Sequence, residues 1–251
     1  MGRLSGKVAL VTGASQGIGA GIARALANEG ASLVLAARDR AKLEQVRGEV
    51  VKLGSEAIAV PTDVTDEAQV ERLFNETAAR FGRLDLLVNN AGAFDGGPLE
   101  EVSLASWERV IGTCLTGAFL CTRAAFRMMK PQGGGRVLNL GSISAQRPRL
   151  HSAPYTAAKH GIWGLTQATA LEGRSQGIVV SCLHPGNVLV ERRQREAIEP
   201  RAAGMAVAAD EPMMSVAEIA AVALEMLCLP PHINLLEAIV LPVDQDYLGR
   251  G

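Results

Sequence analysis

Short apolar runs and helical patterns alternate along the chain, and this alternation restricts its possible folds more than any other feature. Seven runs rich in apolar and β-branched residues predict strands near 7–12, 32–37, 56–60, 84–89, 135–141, 178–183 and 238–243. Between them, apolar residues recur at helical spacing near 18–29, 39–53, 66–81, 104–130, 154–175 and 215–228. Such alternation is typical of parallel strands joined by right-handed crossovers. The sequence therefore predicts an α/β fold, a doubly wound parallel sheet of about seven strands with helices on both faces.

The domain organisation follows from length and composition together. The chain has 251 residues, and no stretch rich in Pro, Gly or Ser and no change of composition divides it. Hydrophobic residues make up 48% of the chain and charged residues 20%, which is enough apolar material for one large core. We expect a single domain spanning residues 1–251.

Charge and cysteine usage exclude several classes of protein. The net charge is −1 with both signs interspersed, which argues against a nucleic-acid or anionic-membrane surface. The longest uncharged stretch in a predicted helix, residues 110–122, is shorter than the ~20 residues that a membrane span needs. The four cysteines form no C-x-x-C pair, so we expect reduced thiols, no metal site and a cytoplasmic location. They are Cys114, Cys121, Cys182 and Cys228.

A glycine-rich turn follows the first predicted strand. Its sequence is Gly13-Ala-Ser-Gln-Gly17-Ile-Gly19, and a helical pattern begins directly after it. A strand, a glycine turn and a helix together present backbone N–H groups to a phosphate at the helix N-terminus. An ordinary turn is the alternative, but three glycines at such a junction favour a nucleotide site.

Tyr155 and Lys159 lie one helical turn apart, thirteen residues after Ser142. Both side chains therefore share one helix face, about 6 Å apart. An ammonium beside a phenol stabilises the phenolate, which suits Tyr155 as a general acid/base for alcohol and ketone chemistry. The Ser142 hydroxyl could donate a hydrogen bond to the reacting oxygen. The Y-x-x-x-K pattern alone is weak, since many amphipathic helices contain it by chance.

In combination, these motifs resemble the short-chain dehydrogenase/reductases of the single-domain, roughly 250-residue kind. The matching residues appear in the family's order and spacing and cover residues 7 to about 190. They are Thr12-Gly13-Ala-Ser-Gln-Gly17-Ile-Gly19, Asp63-Val64, Asn89-Asn90-Ala91-Gly92, Ser142, Tyr155-x-x-x-Lys159 and Pro185-Gly186. The resemblance implies a Rossmann-type fold, catalysis by Ser142, Tyr155 and Lys159, and a substrate lid at residues 187–214.

The resemblance also implies a set of cofactor contacts at the carboxyl edge of the sheet. Asp63 is expected to bond the adenine amine, and Asn90 to brace the adenosine side. Lys159 is expected to bind the nicotinamide ribose as well as to act on Tyr155. The full set is Gly13, Ser15, Gln16, Gly17, Ile18, Gly19, Arg38, Asp63, Val64, Asn90, Ala91, Gly92, Tyr155, Lys159, Pro185, Gly186 and Val188.

The end of the second predicted strand bears on the choice of cofactor. An NAD site usually carries an acidic residue there, whereas this chain has Ala37 followed by Arg38. An arginine can bind a 2′-phosphate through two hydrogen bonds. Arg38 could instead cap the next helix, and Asp39 could divert it. We favour NADP(H), and NAD(H) stays possible.

Two residues depart from the family pattern. Cys114 is a further candidate catalytic residue, because it stands where the family usually has an asparagine whose main chain, in an interrupted helix, holds a water in a proton path. Cysteine lacks the amide's hydrogen bonds, so the helix could run straight here, with Cys114 packed as a small apolar residue. Val190 replaces a threonine that contacts the carboxamide. A charged run beginning at Glu191 could bind an anion or form a solvated face, and we favour the solvated face.

The expected function is that of an NADP(H)-dependent oxidoreductase that moves hydride between nicotinamide and a carbonyl or secondary-alcohol carbon. The alternatives are a nucleotide-binding module with weak or lost catalysis and an NAD(H)-dependent dehydrogenase. Partners are expected to be a small-molecule substrate and further copies of the chain in a homodimer or homotetramer, with no nucleic acid and no membrane.

Overall fold

A seven-stranded, fully parallel sheet forms the centre of the molecule. The computed structural model describes residues 2–191 and 211–247. The strands are β1 (Val8–Thr12), β2 (Ser32–Ala37), β3 (Ala57–Pro61), β4 (Leu86–Asn89), β5 (Gly135–Leu140), β6 (Ile178–Pro185) and β7 (Glu237–Val240). Their order is β3-β2-β1-β4-β5-β6-β7. The predicted fold class is confirmed.

Helices cover both faces of this sheet. They are α1 (Gly17–Asn28), α2 (Arg40–Lys52), α3 (Glu67–Phe81), α4 (Leu104–Ile111), α5 (Gly117–Met129), α6 (Ala153–Gly173) and α7 (Val216–Cys228). In β1, Ala9 and Val11 pack in a core cluster with α1, α2 and α7, whereas Val8 and Leu10 pack in another with α3 and α5. Strands buried on both faces read as continuous apolar runs, which is why the sequence predicted them well.

Local signals in the sequence set several helix ends. The Asp66 carboxylate accepts hydrogen bonds from the N–H groups of Ala68 and Gln69 at the start of α3. Gly82 ends α3 in the left-handed conformation, with φ of 69°. Ser215 and Glu218 form a capping box at the start of α7. No helix within the described residues is long and apolar enough to cross a membrane.

The single helix predicted over residues 104–130 is wrong in one respect. The structure interrupts it with a π-helical turn at Gly112–Thr116, so that α4 and α5 are separate segments. A π turn widens the helix by one residue and is frequent at functional sites. Apolar periodicity continues across the turn, which is why the pattern alone did not indicate a break.

Candidate active site

The predicted site residues converge on one cavity of about 820 Å³ at the carboxyl edge of the sheet. Crossovers change direction at this edge, between β1 and β4, where open parallel sheets bind ligands. Every predicted catalytic and cofactor residue lines the cavity except Gly19 and Cys114. Of the predicted lid, the structure describes only residues 187–191 and 211–214, because residues 192–210 lie outside the described ranges.

Glycine lets the turn after β1 close against Asn90. The Asn90 amide donates hydrogen bonds to Thr12 O (2.9 Å) and Gly13 O (3.2 Å). A Cβ on Gly19 would lie 2.3 Å from that amide nitrogen, and one on Gly13 would lie 2.8 Å from it. Gly13 and Gly17 also have φ of 65° and 56°, a region that glycine adopts without strain. Gly19 therefore packs the turn rather than lining the cavity.

The N-terminus of α1 is available to an anion. Gln16 precedes the helix and makes no side-chain capping bond. Instead, the Gly17 N–H donates to Glu191 Oε1 at 3.2 Å. A carboxylate oxygen thus stands where the helix dipole and the open N–H groups favour a phosphate oxygen. The turn fits the diphosphate of a dinucleotide. The remainder of the charged run after Glu191 lies outside the described residues.

Two cations lie at the opposite end of the cavity, beyond β2. Arg38 and Lys42 both line it. The Asp39 carboxylate accepts from the Lys42 N–H at 3.1 Å and caps α2, and its other oxygen lies 3.9 Å from the Lys42 ammonium. The Lys42 ammonium donates to Gln16 Oε1 at 3.2 Å. Sequence reasoning missed Lys42, although its place one turn into α2 was a usable signal.

Hydrogen bonds within the chain hold the Asp63 side chain, which lies just after β3. Asp63 Oδ1 accepts hydrogen bonds from the Thr65 N–H (3.0 Å) and hydroxyl (2.8 Å). Val64 is buried, and a Cβ on Gly117 would lie 2.5 Å from its side chain. The two hydrogen bonds from Thr65 therefore hold the Asp63 side chain at the cavity wall.

Ser142 lies two residues after the end of β5 and is buried at the cavity wall. Its Oγ accepts the Ser144 N–H at 3.1 Å. Because that bond uses an oxygen lone pair, the hydroxyl hydrogen is left to donate to a ligand atom. The chemistry of this group is that of a hydrogen-bond donor to a reacting oxygen.

Tyr155 and Lys159 lie on the same face of α6, as their spacing predicted. The buried Lys159 ammonium donates to Leu140 O at 2.6 Å and lies 5.5 Å from the centre of the Tyr155 ring. Burial lowers the pKa of Lys159, but Tyr155, Cys114 and Cys182 outweigh it, so the pKa lies above its ordinary value. The lysine therefore stays charged beside the phenol. Phe94 packs edge-on against the Tyr155 ring, with centroids 5.2 Å apart.

The sequence model of the short chain dehydrogenase family matches residues 7–200, which is more than half of the chain. The chain belongs to this family. The suspected resemblance is confirmed, and the protein is an oxidoreductase of this family.

Known members of the short-chain dehydrogenase family are similar over most of their length. A 3-oxoacyl-(acyl-carrier-protein) reductase of Synechocystis sp. is 38% identical over 201 residues, 80% of this chain and 81% of that protein. A solved actinorhodin polyketide ketoreductase with NADPH is 32% identical, with a TM-score of 0.87 over 98% of this chain and 100% of that chain. A metagenomic short-chain oxidoreductase in complex with NADP is 34% identical, with a TM-score of 0.81 over 96% and 98%.

Within this short-chain dehydrogenase, Cys114 differs from its sequence-based expectation. It lies in the π turn, so the helix does not run straight. Its Sγ donates to Ala93 O at 3.2 Å and accepts the Ala93 N–H at 3.3 Å. The thiol thus makes one donor and one acceptor bond, the pairing that an asparagine amide would also provide. It is buried and does not line the cavity.

Sequence reasoning also missed a second group, in which Arg149 and Asn187 line the cavity. The Arg149 guanidinium donates to both Glu211 oxygens (3.1 and 3.0 Å) and to Asn187 Oδ1 (2.9 Å). The Asn187 amide also donates to Glu211 Oε2 at 2.7 Å. These residues come from three distant segments, so no sequence spacing could have joined them. Val190 lines the same cavity with an apolar side chain.

The four cysteines are free thiols. Within residues 2–191 and 211–247, no three His, Cys, Asp or Glu side chains form a group that could hold a metal ion.

Proposed function

We propose that this protein is an NADP(H)-dependent oxidoreductase that interconverts a ketone and a secondary alcohol. One observation carries the proposal. Ser142, Tyr155 and Lys159 line the same cavity as the glycine turn and Arg38, so a dinucleotide and a carbonyl group would lie side by side in one cavity.

The three polar side chains divide the work at the substrate oxygen. A bound nicotinamide supplies or accepts the hydride. In the reducing direction, Tyr155 donates its phenolic proton to the carbonyl oxygen. Ser142 donates its hydroxyl hydrogen to the same oxygen and stabilises the charge that develops there. The Lys159 ammonium, held by Leu140 O, stabilises the resulting phenolate.

The preference for the phosphorylated cofactor rests on charge at the adenosine end. Arg38 and Lys42 line the cavity there, and Ala37 provides no carboxylate to repel a 2′-phosphate. Two structurally similar members of the family are solved with NADP or NADPH, which supports the same choice. An NAD(H)-dependent enzyme is the alternative that a cofactor titration distinguishes.

The substrate side of the cavity favours a molecule with an apolar body. Ile143 and Leu150 line the cavity near Ser142, and Phe94 stands beside the Tyr155 ring. We propose a ketone or secondary alcohol flanked by hydrocarbon as the substrate class.

Turnover measured with both cofactors tests the proposal. The purified protein should oxidise NADPH in the presence of some members of a panel of cyclic, aryl and acyclic ketones. Ser142→Ala keeps the cofactor turn and removes one donor to the oxygen, so turnover should fall by about 10²-fold. NADPH binding without turnover of any ketone or alcohol would instead favour the binding-module alternative.

We also propose that the protein is a cytoplasmic homo-oligomer. In the single chain, α4, α5 and α6 leave Trp107, Phe119 and Leu171 with exposed fractions of 40%, 44% and 66%. Large apolar side chains on helices are often covered by another subunit. Light scattering coupled to size-exclusion chromatography would give a mass of two or four chains, and a monomer would contradict the proposal.

A further inference from the structure

A fully buried histidine lies directly behind Ser142. His184, near the end of β6, has no exposed surface. Its Nδ1 is 2.9 Å from Ser142 O and 3.3 Å from Ser142 N. A Cβ on residue 141 would lie 2.5 Å from that nitrogen, so Gly141 is what lets the ring approach the Ser142 main chain. The Trp163 ring packs against the imidazole in a T-shaped arrangement, with centroids 5.8 Å apart.

The second ring nitrogen faces a carboxylate. His184 Nε2 lies 3.5 Å from Glu237 Oε1, at the first residue of β7. This nitrogen is buried and makes no hydrogen bond to any described residue. A neutral imidazole carries one hydrogen, on one nitrogen or the other. Glu237 draws that hydrogen to Nε2, while Ser142 O draws it to Nδ1. The position of Glu237 therefore affects which main-chain group of Ser142 the ring bonds.

The C-terminal segment holds Glu237 in place. Gln146 Nε2 donates to Glu237 Oε1 at 2.7 Å, and Tyr247 donates its hydroxyl hydrogen to Gln146 Oε1 at 2.6 Å. Gln146 is exposed, but Tyr247 is buried. The same segment is anchored again where Gln245 Oε1 accepts the Asn187 N–H at 2.8 Å. Gln245 thus bonds Asn187 in the segment after β6, and Tyr247 bonds Gln146 in the segment after Ser142.

We propose that His184 is a positioning residue for Ser142, and that Glu237, held through Gln146 by Tyr247, orients it. The proposal rests on the proposed function in one respect, namely that Ser142 donates to the reacting oxygen. A small displacement of a catalytic group is costly, since about 1 Å can lower a rate about 10²-fold. His184 contacts the main chain of Ser142, so it fixes the position of the hydroxyl without touching substrate.

Hydrogen exchange tests the physical link without any activity. His184→Leu removes both ring nitrogens, whereas His184→Asn keeps a polar amide near the position of Nδ1. Exchange across residues 141–147 should accelerate in the Leu variant and return towards the native rate in the Asn variant. Tyr247→Phe should accelerate it to a smaller extent. Val243→Ala, at an exposed position just before the same segment, is the matched control and should change nothing.

Kinetics tests the consequence for the reaction. His184→Leu should lower kcat by about 10–100-fold, and Tyr247→Phe by about 3–10-fold, with the Kd for NADPH unchanged. His184→Asn should recover most of the loss. If these residues act through the Ser142 hydroxyl, the effect of Tyr247→Phe should disappear in a Ser142→Ala background. A full Tyr247 effect in that background would overturn the proposal, as would unchanged exchange in His184→Leu.

The two proposals fail differently. An unmodified protein that turns over no ketone or alcohol contradicts the proposed function, while hydrogen exchange still decides whether His184 fixes Ser142. An active protein whose rate and exchange are indifferent to His184→Leu contradicts only the positioning role.

Discussion

Polar groups at the amino edge and at the carboxyl edge of the sheet differ in how they are hydrogen-bonded. At the amino edge, Asp85 is buried and accepts hydrogen bonds from Lys7 (3.0 Å), the Val8 N–H (3.0 Å) and two nitrogens of Arg83 (2.8 and 2.6 Å). Nearby, an Arg136 nitrogen donates to the carbonyl oxygens of Leu229, Pro230 and Ile233. The Asp85 carboxylate and this Arg136 nitrogen are paired within the chain, whereas the other terminal nitrogen of Arg136 is buried without a hydrogen-bond partner among the described residues.

The carboxyl edge leaves donors directed at a cavity. Gln16 makes no capping bond at the start of α1, the Ser142 hydroxyl keeps its hydrogen available, and the buried Lys159 carries a charge beside a phenol. A chain satisfies buried polar groups unless they serve another purpose. The comparison therefore separates polar residues that stabilise the fold from those kept for ligands.

Removing the Tyr155 hydroxyl should have the largest effect, and it should lower turnover at the carboxyl edge without changing the stability that the amino edge provides. Tyr155→Phe keeps the ring and removes the transferred proton, so turnover should fall about 10²–10⁴-fold. The variant should keep its stability and should still bind NADPH, because Lys159 and the glycine turn are untouched. Steady-state kinetics and fluorescence titration measure both. Near-normal turnover would exclude Tyr155 as the general acid.

Asp85→Asn should produce the opposite pattern. The substitution removes the charge that Lys7 and Arg83 bond, and it leaves one of those groups without its partner. Charge-assisted hydrogen bonds contribute about 1.5–3 kcal/mol each, and two partners are partly exposed, so we expect a loss of about 2–3 kcal/mol. Urea denaturation measures it. At temperatures where the variant is folded, kcat and KM should not change; a catalytic defect there would break the contrast between the edges.

The affinities for NADPH and NADH test whether the Arg38 guanidinium at the carboxyl edge binds the cofactor. Arg38→Ala should weaken NADPH binding by about 1.5–3 kcal/mol and NADH binding by much less. Arg40→Ala, two residues further along, is the matched control, since Arg40 does not line the cofactor cavity. Calorimetric titration with each nucleotide gives both affinities. Equal affinity of the unmodified protein for NADPH and NADH would show that Arg38 does not bind the 2′-phosphate.

Some of this arrangement could be predicted from the sequence, and some could not. Buried parallel strands and the glycine turn are local signals, so the strand positions and the edge that carries Gly13, Ser142 and Pro185 followed from periodicity. Tyr155 and Lys159 share one helix, so their juxtaposition followed from spacing. In contrast, His184 and Glu237 meet only through the pairing of β6 with β7. The Arg149–Glu211 contact likewise needs the tertiary fold, which spacing does not encode.

As the pH falls, the stability contributions of His184 at the carboxyl edge and of Asp85 at the amino edge should be lost in different pH ranges. Burial, assisted by Lys159, lowers the pKa of His184 below its ordinary 6.5, although the bond to Ser142 and the Glu237 carboxylate oppose this. The folded state then disfavours the protonated ring, so stability is complete above about pH 6.5 and declines as the pH falls below it. Burial raises the pKa of Asp85, but the bonds from Arg83, Val8 and Lys7 hold it below its ordinary 3.8. Its contribution is present above about pH 3.8 and is lost only in stronger acid.

Denaturation at pH 7.5, 6.0 and 5.0 separates these contributions. The unmodified protein should lose stability over this range, and His184→Asn should reduce the slope. Asp85→Asn should leave the slope unchanged, because both folded and unfolded Asp85 are ionised there. An identical slope in His184→Asn and the unmodified protein would show that His184 does not carry this pH dependence.

Cys114→Asn should have the smallest effect of all, although this residue departs most from the family pattern. The thiol already bonds both main-chain groups of Ala93, and the π turn that exposes main chain is already present. Asparagine would reproduce that pairing, so kcat should change by less than about threefold and NADPH affinity should not change. Cys114→Ala is the sharper variant, because it leaves the Ala93 N–H and carbonyl without their partner at a cost of about 1–3 kcal/mol. The solvent isotope effect on kcat should be the same in the unmodified and Asn proteins. A tenfold rise in kcat for Cys114→Asn, with a smaller isotope effect, would instead mean that the cysteine impairs proton return to Tyr155.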